Sequence, residues 1–458
     1  MESKLEFFGG AGSVTGSNFL LRSNPDRSGG AETKILVDCG LFQGCDFCGK
    51  ENWKPFPFDP VSVQVLVVTH AHIDHIGRIP KLVRDGFRGR IISTVATKSL
   101  ANPLLRDNME LLEREAEREG KELLYEQKDI EAAMRLWEGV QYRAPQELPG
   151  DFTLEFLSSS HILGSAMVKV SRKERSIVFT GDLGGASPLL PPRDSLGSIQ
   201  YLLMESVYGD RERKDDADRR GRLEDVIEDT AARGGTLLIP AFSTERTQDL
   251  LYEIRNLMVE KRVSSIPVFV DSPLADKITE AFLANPDFFA PAMAERIKKG
   301  EDIFAFPEMR FIGSAEASRA LRDKPSPKII LAGSGMSNGG RVLSHEQSIL
   351  TDPASTLCIV GYQAAGSLGR QLLDGAKEVR IHEKKIPVRC KVESIFGYSA
   401  HLDGPHLLDF VSEQKNIERV FVAMGEPASA AYLAQRIRDY LGLDTMVAEA
   451  GKSVTLDL

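Results

Sequence analysis

A run of six residues, His70-Ala71-His72-Ile73-Asp74-His75, sets the terms for the rest of the chain. Ahead of it lies Val61-Ser62-Val63-Gln64-Val65-Leu66-Val67-Val68-Thr69, β-branched and almost continuously apolar. That composition predicts a strand buried on both faces. Behind it, Ile76-Gly77 marks the change from strand to loop or helix. Three imidazoles and a carboxylate are therefore expected at the C-terminal end of a buried strand, where open α/β sheets place their sites. The H-x-H-x-D-H spacing lets neighbouring side chains diverge, so that one short loop can serve two adjacent metal ions. Neutral imidazole with carboxylate is the ligand set of Zn²⁺ and other borderline divalent ions. The chain has only 8 His in 458 residues, so three of them beside an Asp do not read as an ordinary polar loop.

Other predicted strands end the same way. The strand at 34–37 leads into Asp38, and the one at 154–157 into a serine run ending at His161. The strand at 176–179 leads into Thr180-Gly181-Asp182, and the one at 201–204 into Glu205. A polar residue at the C-terminal edge of each strand is what a composite site on one rim of a sheet requires. From 103 to about 138 the chain is charged and helical in period, with Leu104, Leu105, Leu111 and Leu112 as its apolar stripe. After Tyr208-Gly209 the composition shifts, and the mixed charges of 210–222 read either as a domain entry or as a solvated loop and helix start. Helices at 223–233 and 246–261 then alternate with strands at 236–240, 268–271, 328–331 and 356–360, the pattern of a parallel α/β layer. From about Val379 short strands resume, followed by Ser399-Ala400-His401-Leu402-Asp403, a helix and a strand at 420–423. The second domain is thus expected to be inserted into the first.

The length favours two cores, and 42% apolar with 27% charged residues is ordinary globular composition. No apolar stretch is long enough for a membrane span or a signal peptide, so a cytoplasmic protein is expected. The five cysteines are an odd number and are expected to be reduced thiols. Cys45-Asp46-Phe47-Cys48 lacks the second pair a zinc ribbon would need, and reads as incidental or weakly redox-active. A net charge of −9 argues against a surface that condenses wholesale on nucleic acid, while leaving room for a local basic groove.

Two glycine clusters complete the pattern, Gly333-Ser334-Gly335-Met336-Ser337-Asn338-Gly339-Gly340-Arg341 and Gly361-Tyr362-Gln363-Ala364-Ala365-Gly366-Ser367-Leu368-Gly369-Arg370. Bare backbone N–H groups near helix N-termini bind phosphate, and the same glycines can equally be tight turns. Ser334, Gly335 and Ser367 are candidate phosphate contacts. Arg341 and Arg370 could each fork to a phosphate or lie on the surface.

Taken with Asp38, the 70–75 motif, His161, Asp182, Glu205 and the Ser-Ala-His-Leu-Asp stretch, this constellation resembles the metallo-β-lactamase superfamily. More narrowly, it resembles the compact bacterial and archaeal β-CASP ribonucleases. The resemblance implies an α/β protein, a metallo-β-lactamase αββα sandwich at 1–207 and 376–458 with a parallel α/β β-CASP domain inserted at 208–375. It implies zinc-dependent hydrolysis of single-stranded RNA in a cleft between the domains, and family members often form homodimers. Residue by residue, it implies one Zn²⁺ held by His70, His72 and His161, with Asp182 bridging to a second held by Asp74 and His75. Asp38 would orient a ligand by hydrogen bond. Glu205 and His401 would be a carboxylate–imidazole pair acting as general acid. Phosphodiester cleavage needs a nucleophile at neutral pH and charge relief on two oxygens, which two metals roughly 3.5–4 Å apart supply.

One position departs from the family. RNA-cleaving members usually carry a further histidine on the second metal, in a strand ending H-G-E, where this chain has Met424-Gly425-Glu426. A thioether is a weak ligand for Zn²⁺, so the second metal is expected to be held loosely and to exchange for Mn²⁺. The DNA-cleaving branch also has an apolar residue here. Competing readings are a DNA nuclease, a thioester or lactam hydrolase, and a non-catalytic or metal-dependent RNA-binding module.

Overall fold

The computed structural model describes residues 2–23, 32–44, 48–212, 218–361, 363 and 366–458. Cys45 of the C-x-x-C pair, 213–217 of the charged entry, and Tyr362, Ala364 and Ala365 of the second glycine cluster lie outside them. Two compact units are formed. The first comprises Met1–Glu212, Asp287–Pro291 and Ala400–Leu458, the second Arg213–Pro286 and Ala292–Ser399.

The first unit is built on two seven-stranded sheets. In one, Val65–Val67 lies between Thr33–Val37 and Arg90–Thr94, parallel to both. In the other, Arg175–Phe179, Tyr201–Met204 and Arg419–Val422 run parallel side by side. Alternate side chains settle the packing. Phe19, Val37, Val65 and Val67 meet Phe156, Phe179, Leu203 and Phe421 in one buried core between the sheets. Val178, Leu202, Met204, Val420 and Val422 face the other way, onto Leu407, Phe410, Leu433 and Ile437 of the helices Gly404–Ser412 and Pro427–Leu441. Both faces of the central strands are buried, which is why they read as continuous apolar runs rather than alternating ones.

Two predicted elements change length. The strand expected at 61–69 is β only over Val65–Val67, because Pro60–Ser62 is a 3-10 turn capped by Asp59, whose carboxylate accepts the Val61 N–H. The helix expected at 103–138 is two helices. Val95–Glu119 starts earlier, from a Thr94 cap, and stops at Gly120 in the left-handed region, while Gln127–Leu136 begins afresh with its own capping box.

The second unit has a six-stranded sheet in the order Met309–Phe311, Val268–Asp271, Lys328–Ala332, Thr236–Pro240, Thr356–Ile359, Lys391–Ser394, parallel throughout. The insertion expected to end at 375 runs on to Ser399. Lys391–Ser394 pairs with Thr356–Ile359, and Val379, Ile381 and Ile386 join the core around Leu357 and Ile359.

In the first unit, backbone hydrogen bonds clamp the 70–75 loop. Cys39 N–H donates to the His75 carbonyl at 2.9 Å, Leu41 N–H to Ile73 at 3.0 Å, and Ser17 N–H to Asp74 at 2.9 Å. Gly40 lies so close to this loop that an added β-carbon would fall 1.5 Å from the Asp74 carbonyl oxygen. Gly40→Ala must therefore displace the loop at a cost of about 1–3 kcal/mol. The expected result is a lower melting temperature together with reduced metal content, read by calorimetry and elemental analysis.

In the second unit, Glu346 sits fully buried on the helix Val342–Ile349, with only the Ser337 hydroxyl, at 2.5 Å, donating to it. Burial pushes its carboxyl up to about 8. The folded state then binds the proton more tightly than the unfolded chain. That contribution to stability is complete below the ordinary carboxylate range and is lost as pH rises through about 8. Relative to its effect below the ordinary carboxylate range, Glu346→Gln is expected to raise the melting temperature by roughly 5 °C more at pH 9.

Candidate metal centre

Parallel strands deliver the site to one rim. Asp38 follows Thr33–Val37, His70 follows Val65–Val67, Asp182 follows Arg175–Phe179 and Glu205 follows Tyr201–Met204. His161 follows Phe152–Ser158, which is antiparallel to Ala166–Arg172 and therefore parallel to Arg175–Phe179. His401 reaches the same rim because Leu402 N–H bonds the Leu183 carbonyl at 2.9 Å. All of these residues belong to the first unit.

Four donor atoms converge. His70 Nε2 and His161 Nε2 each lie 3.1 Å from His72 Nδ1, and they lie 3.4 and 3.3 Å from Asp182 Oδ2. A tetrahedral ion with ligands at 2.0–2.1 Å has ligand–ligand edges of about 3.3 Å, which these distances match. The proton inventory agrees. Thr69 Oγ1 donates to Asp38 Oδ2 at 2.9 Å, so it must accept from His70 Nδ1–H at 3.1 Å, leaving the His70 Nε2 lone pair inward. His161 Nδ1–H donates to the Ala400 carbonyl at 3.3 Å, with the same consequence. Burial pushes His72 and His161 well below the usual histidine range, so both are neutral, as ligands must be.

A second group lies alongside. His75 Nδ1–H donates to Asp38 Oδ2 at 2.7 Å. His75 Nε2 is buried without a hydrogen-bond partner, 3.4 Å from Asp182 Oδ1 and 4.0 Å from Asp74 Oδ2. Burial opposes a charge on His75, yet Asp182 and Asp38 raise it well above its ordinary value, the signature of a place that favours positive charge. Burial also raises Asp74 above its ordinary value. A buried ring nitrogen without a hydrogen-bond partner, set between two carboxylates, fits a second divalent ion with three protein ligands, Asp74, His75 and Asp182. Met424 supplies no fourth in this arrangement. Its side chain is packed in the inter-sheet core, where its sulfur lies 3.7 Å from the Ser17 hydroxyl oxygen.

Glu205 and His401 form the expected pair. Glu205 is fully buried, and its Oε2 and Oε1 lie 3.1 and 3.3 Å from His401 Nδ1. His401 Nε2 points inward, 4.0 Å from Asp182 Oδ2. Burial alone would lower the imidazole, but Glu205 and Asp182 outweigh it and hold His401 up at about 9.

The glycine-loop candidates divide. Arg341 is not available for a phosphate, because its guanidinium is held by Asp271 Oδ1 at 2.7 Å and by the Ile312 and Gly313 carbonyls. His345, just beyond this loop, is buried with Nε2 2.6 Å from Asp271 Oδ2. Arg370 pairs with Asp374 on an exposed helix turn, a weak contact that an anion can displace. Ser367 caps the helix Leu368–Leu373 through the Arg370 N–H, and Ser334 accepts the Asn338 N–H at 3.3 Å. The Gly335 carbonyl accepts from Gln363. Sequence reading missed Thr69, Ser17 and Ser165. Of these only Thr69, adjacent to His70, carried a signal, while Ser165 pins the His161 and Ile162 N–H groups at 3.0 and 3.1 Å.

Comparison with known proteins agrees with this geometry. The family model of the metallo-beta-lactamase superfamily matches residues 27–221 and that of the Beta-Casp domain residues 247–372. The Zn-dependent metallo-hydrolase RNA specificity domain matches residues 385–448. Ribonuclease TTHA0252 of Thermus thermophilus is 33% identical over 448 residues, covering 98% of each chain. The RNase J-like protein of Methanocaldococcus jannaschii is 30% identical, across 91% of this chain and 93% of its own. Transcription termination factor FttA of Methanosarcina mazei is 30% identical, across 95% of this chain and 69% of its own. A solved structure of a protein of unknown function from Enterococcus faecalis V583 shares the fold, with a TM-score of 0.55 at 14% identity over the full length of both chains. With divalent-metal ligands on the rim of its first unit, and a parallel α/β insertion in its second, the chain belongs to the β-CASP family of the metallo-β-lactamase superfamily.

Proposed function

We propose that the chain is a zinc-dependent ribonuclease that hydrolyses phosphodiester bonds of single-stranded RNA. The observation that carries this reading is the convergence of His70, His72, His161 and Asp182 at tetrahedral spacing, with His401 and its buried Glu205 on the other side of Asp182. RNA is favoured as the substrate by relatives that bear the name ribonuclease. When bound, a pair of divalent ions supplies a nucleophilic water at neutral pH and charge relief on the phosphoryl oxygens.

The residues then have separate tasks. His70, His72, His161 and Asp182 would hold one zinc, and Asp74 and His75, with Asp182, would hold the second. Asp38 and Thr69 keep the proton on the outer nitrogen of His70 and His75, so that the inner one can ligate. Glu205 keeps the His401 imidazole protonated. His401 gives its Nε2 proton to the leaving oxygen as the phosphorus–oxygen bond breaks. The glycine loops hold phosphates through backbone N–H groups. A reducing, cytoplasmic setting suits the free thiols of Cys39, Cys358 and Cys390, and among the described residues no helix is long and apolar enough to cross a membrane. A DNA substrate is the second reading, favoured by Met424 in place of the histidine usual in RNA-cleaving relatives.

End-labelled RNA and DNA of matched sequence decide between them. The expected outcome is zinc-dependent cleavage of RNA that stops with chelator, is abolished in Asp74→Ala along with loss of metal, and falls about 10²–10⁴-fold in His401→Ala at unchanged metal content. Preferential DNA cleavage would reverse the substrate assignment. A fall in metal content in His401→Ala would make His401 a ligand.

The two zinc sites are expected to be unequal. The first has four protein ligands, the second three, because the Met424 sulfur lies in the core beside Ser17. Dialysed protein should retain one equivalent of zinc and exchange the other for Mn²⁺. Met424→His should retain closer to two and gain most activity at limiting metal. Two equivalents in both proteins would mean that another group completes the second site.

A further inference from the structure

Phe242 is a large apolar side chain left 41% exposed at the C-terminal edge of the second unit's parallel sheet. It follows Thr236–Pro240, whose neighbours Lys328–Ala332 and Thr356–Ile359 lead into the two glycine clusters. The connection leaving Thr236–Pro240 runs to Val268–Asp271 on one side. The one leaving Thr356–Ile359 runs to Lys391–Ser394 on the other. Adjacent strands whose connections diverge in this way open a crevice at their C-terminal ends, where α/β sheets bind ligands.

The ring is fitted to its surroundings rather than merely stranded on the surface. A β-carbon added to Gly335 would lie 2.7, 2.8 and 3.0 Å from Phe242 Cδ2, Cε2 and Cγ, so only glycine lets the ring rest on that loop. One added to Gly361 would lie 3.9 Å from Cε2, which leaves space beside the ring. Gln363, itself buried, ties the two loops together, its Nε2 donating to the Gly335 carbonyl at 2.9 Å and the Gly361 carbonyl at 3.3 Å. The Phe242 carbonyl accepts from Thr247 Oγ1 at 2.8 Å, fixing the main chain to the start of the helix Arg246–Val259. The ring rests against the Gly335 loop on one side and is 41% exposed.

A single exposed apolar side chain ordinarily needs no explanation. Here the choice of glycine at 335 points to one. The only other large exposed apolar side chain among the described residues of this unit is Val259, at the far end of a helix about 20 Å long. Phe242 and Val259 are thus too far apart to form one apolar patch. The occupant that fits is one small, flat, apolar face. We propose that Phe242 is a stacking platform for a nucleobase of the single-stranded substrate, with Gly335 and Gln363 as its positioning residues. This rests on the ribonuclease reading and adds to it how the second unit grips RNA.

The test uses the full zinc-loaded chain and single-stranded RNA oligonucleotides with a phosphorothioate backbone, with binding measured by fluorescence anisotropy. Phe242→Ala is expected to weaken binding about 5- to 100-fold, the span of one base–aromatic stack, while Phe242→Tyr stays within about 2-fold of wild type. An abasic nucleotide placed at successive positions should weaken wild-type binding at one position and leave Phe242→Ala indifferent there. A 2-aminopurine at that position should be quenched by wild type and not by the alanine variant. Equal affinity of wild type and Phe242→Ala, or an equal loss on intact and abasic RNA, overturns the platform. If wild type cleaves RNA and either result is found, only the platform fails. If wild type neither binds nor cleaves RNA, the ribonuclease reading fails and the platform goes with it.

Discussion

One buried carboxylate, Asp38, underlies the whole centre. Its two oxygens accept the Thr69 N–H at 2.8 Å, the Thr69 hydroxyl at 2.9 Å, His75 Nδ1–H at 2.7 Å and the Ser17 hydroxyl at 3.3 Å. An acceptor with no proton of its own dictates the direction of every hydrogen bond that reaches it. The Thr69 hydroxyl, committed to Asp38, can only accept from His70. One carboxylate therefore turns two imidazoles, one directly and one through a hydroxyl, so that their lone pairs face inward. The position is costly enough that Asp38 adopts a left-handed φ of 58°, which aspartate tolerates better than most residues.

Around it the charge is arranged for a cation. Asp74, Asp182 and Glu205 are carboxylates clustered with His70, His72, His75, His161 and His401; five of these eight are buried, and Asp74, His72 and His401 are partly so. Such groups cannot share a dry pocket unless they exchange protons or hold metal. The outcome differs by position. His72 and His161, pressed by burial, are neutral, whereas His401, backed by the buried Glu205, is drawn towards protonation. A candidate ligand and a candidate acid made from the same side chain are thus separated by what stands behind the ring.

The second unit repeats the scheme with another anchor. Asp271, fully buried at the end of Val268–Asp271, accepts from Ser318, Arg341 and His345 and so fixes the exit of the first glycine loop. Arg341 was expected from sequence as a candidate for phosphate. It is instead a strut, since a guanidinium bound to a buried carboxylate and two carbonyls has little left to offer. Its spacing after a glycine cluster looks the same in sequence in either role.

The metal-binding residue types, the strands that end on them, the β-CASP insertion and the oddity at Met424 were all legible along the chain, because each is a local pattern of polarity and period. The length of the central strand, the split of the helix at Gly120 and the far edge of the insertion were not, because a cap, a left-handed glycine and a distant strand partner decided them. The tautomers were beyond reach in the same way. Which nitrogen of His75 faces the cluster depends on Asp38, 37 residues away, and which nitrogen of His161 does so depends on the carbonyl of Ala400, 239 residues away. By itself the sequence determined which side chains carry donor atoms of the right kind. Only the tertiary structure, by bringing acceptors up behind those rings, decided which lone pairs face into the cluster.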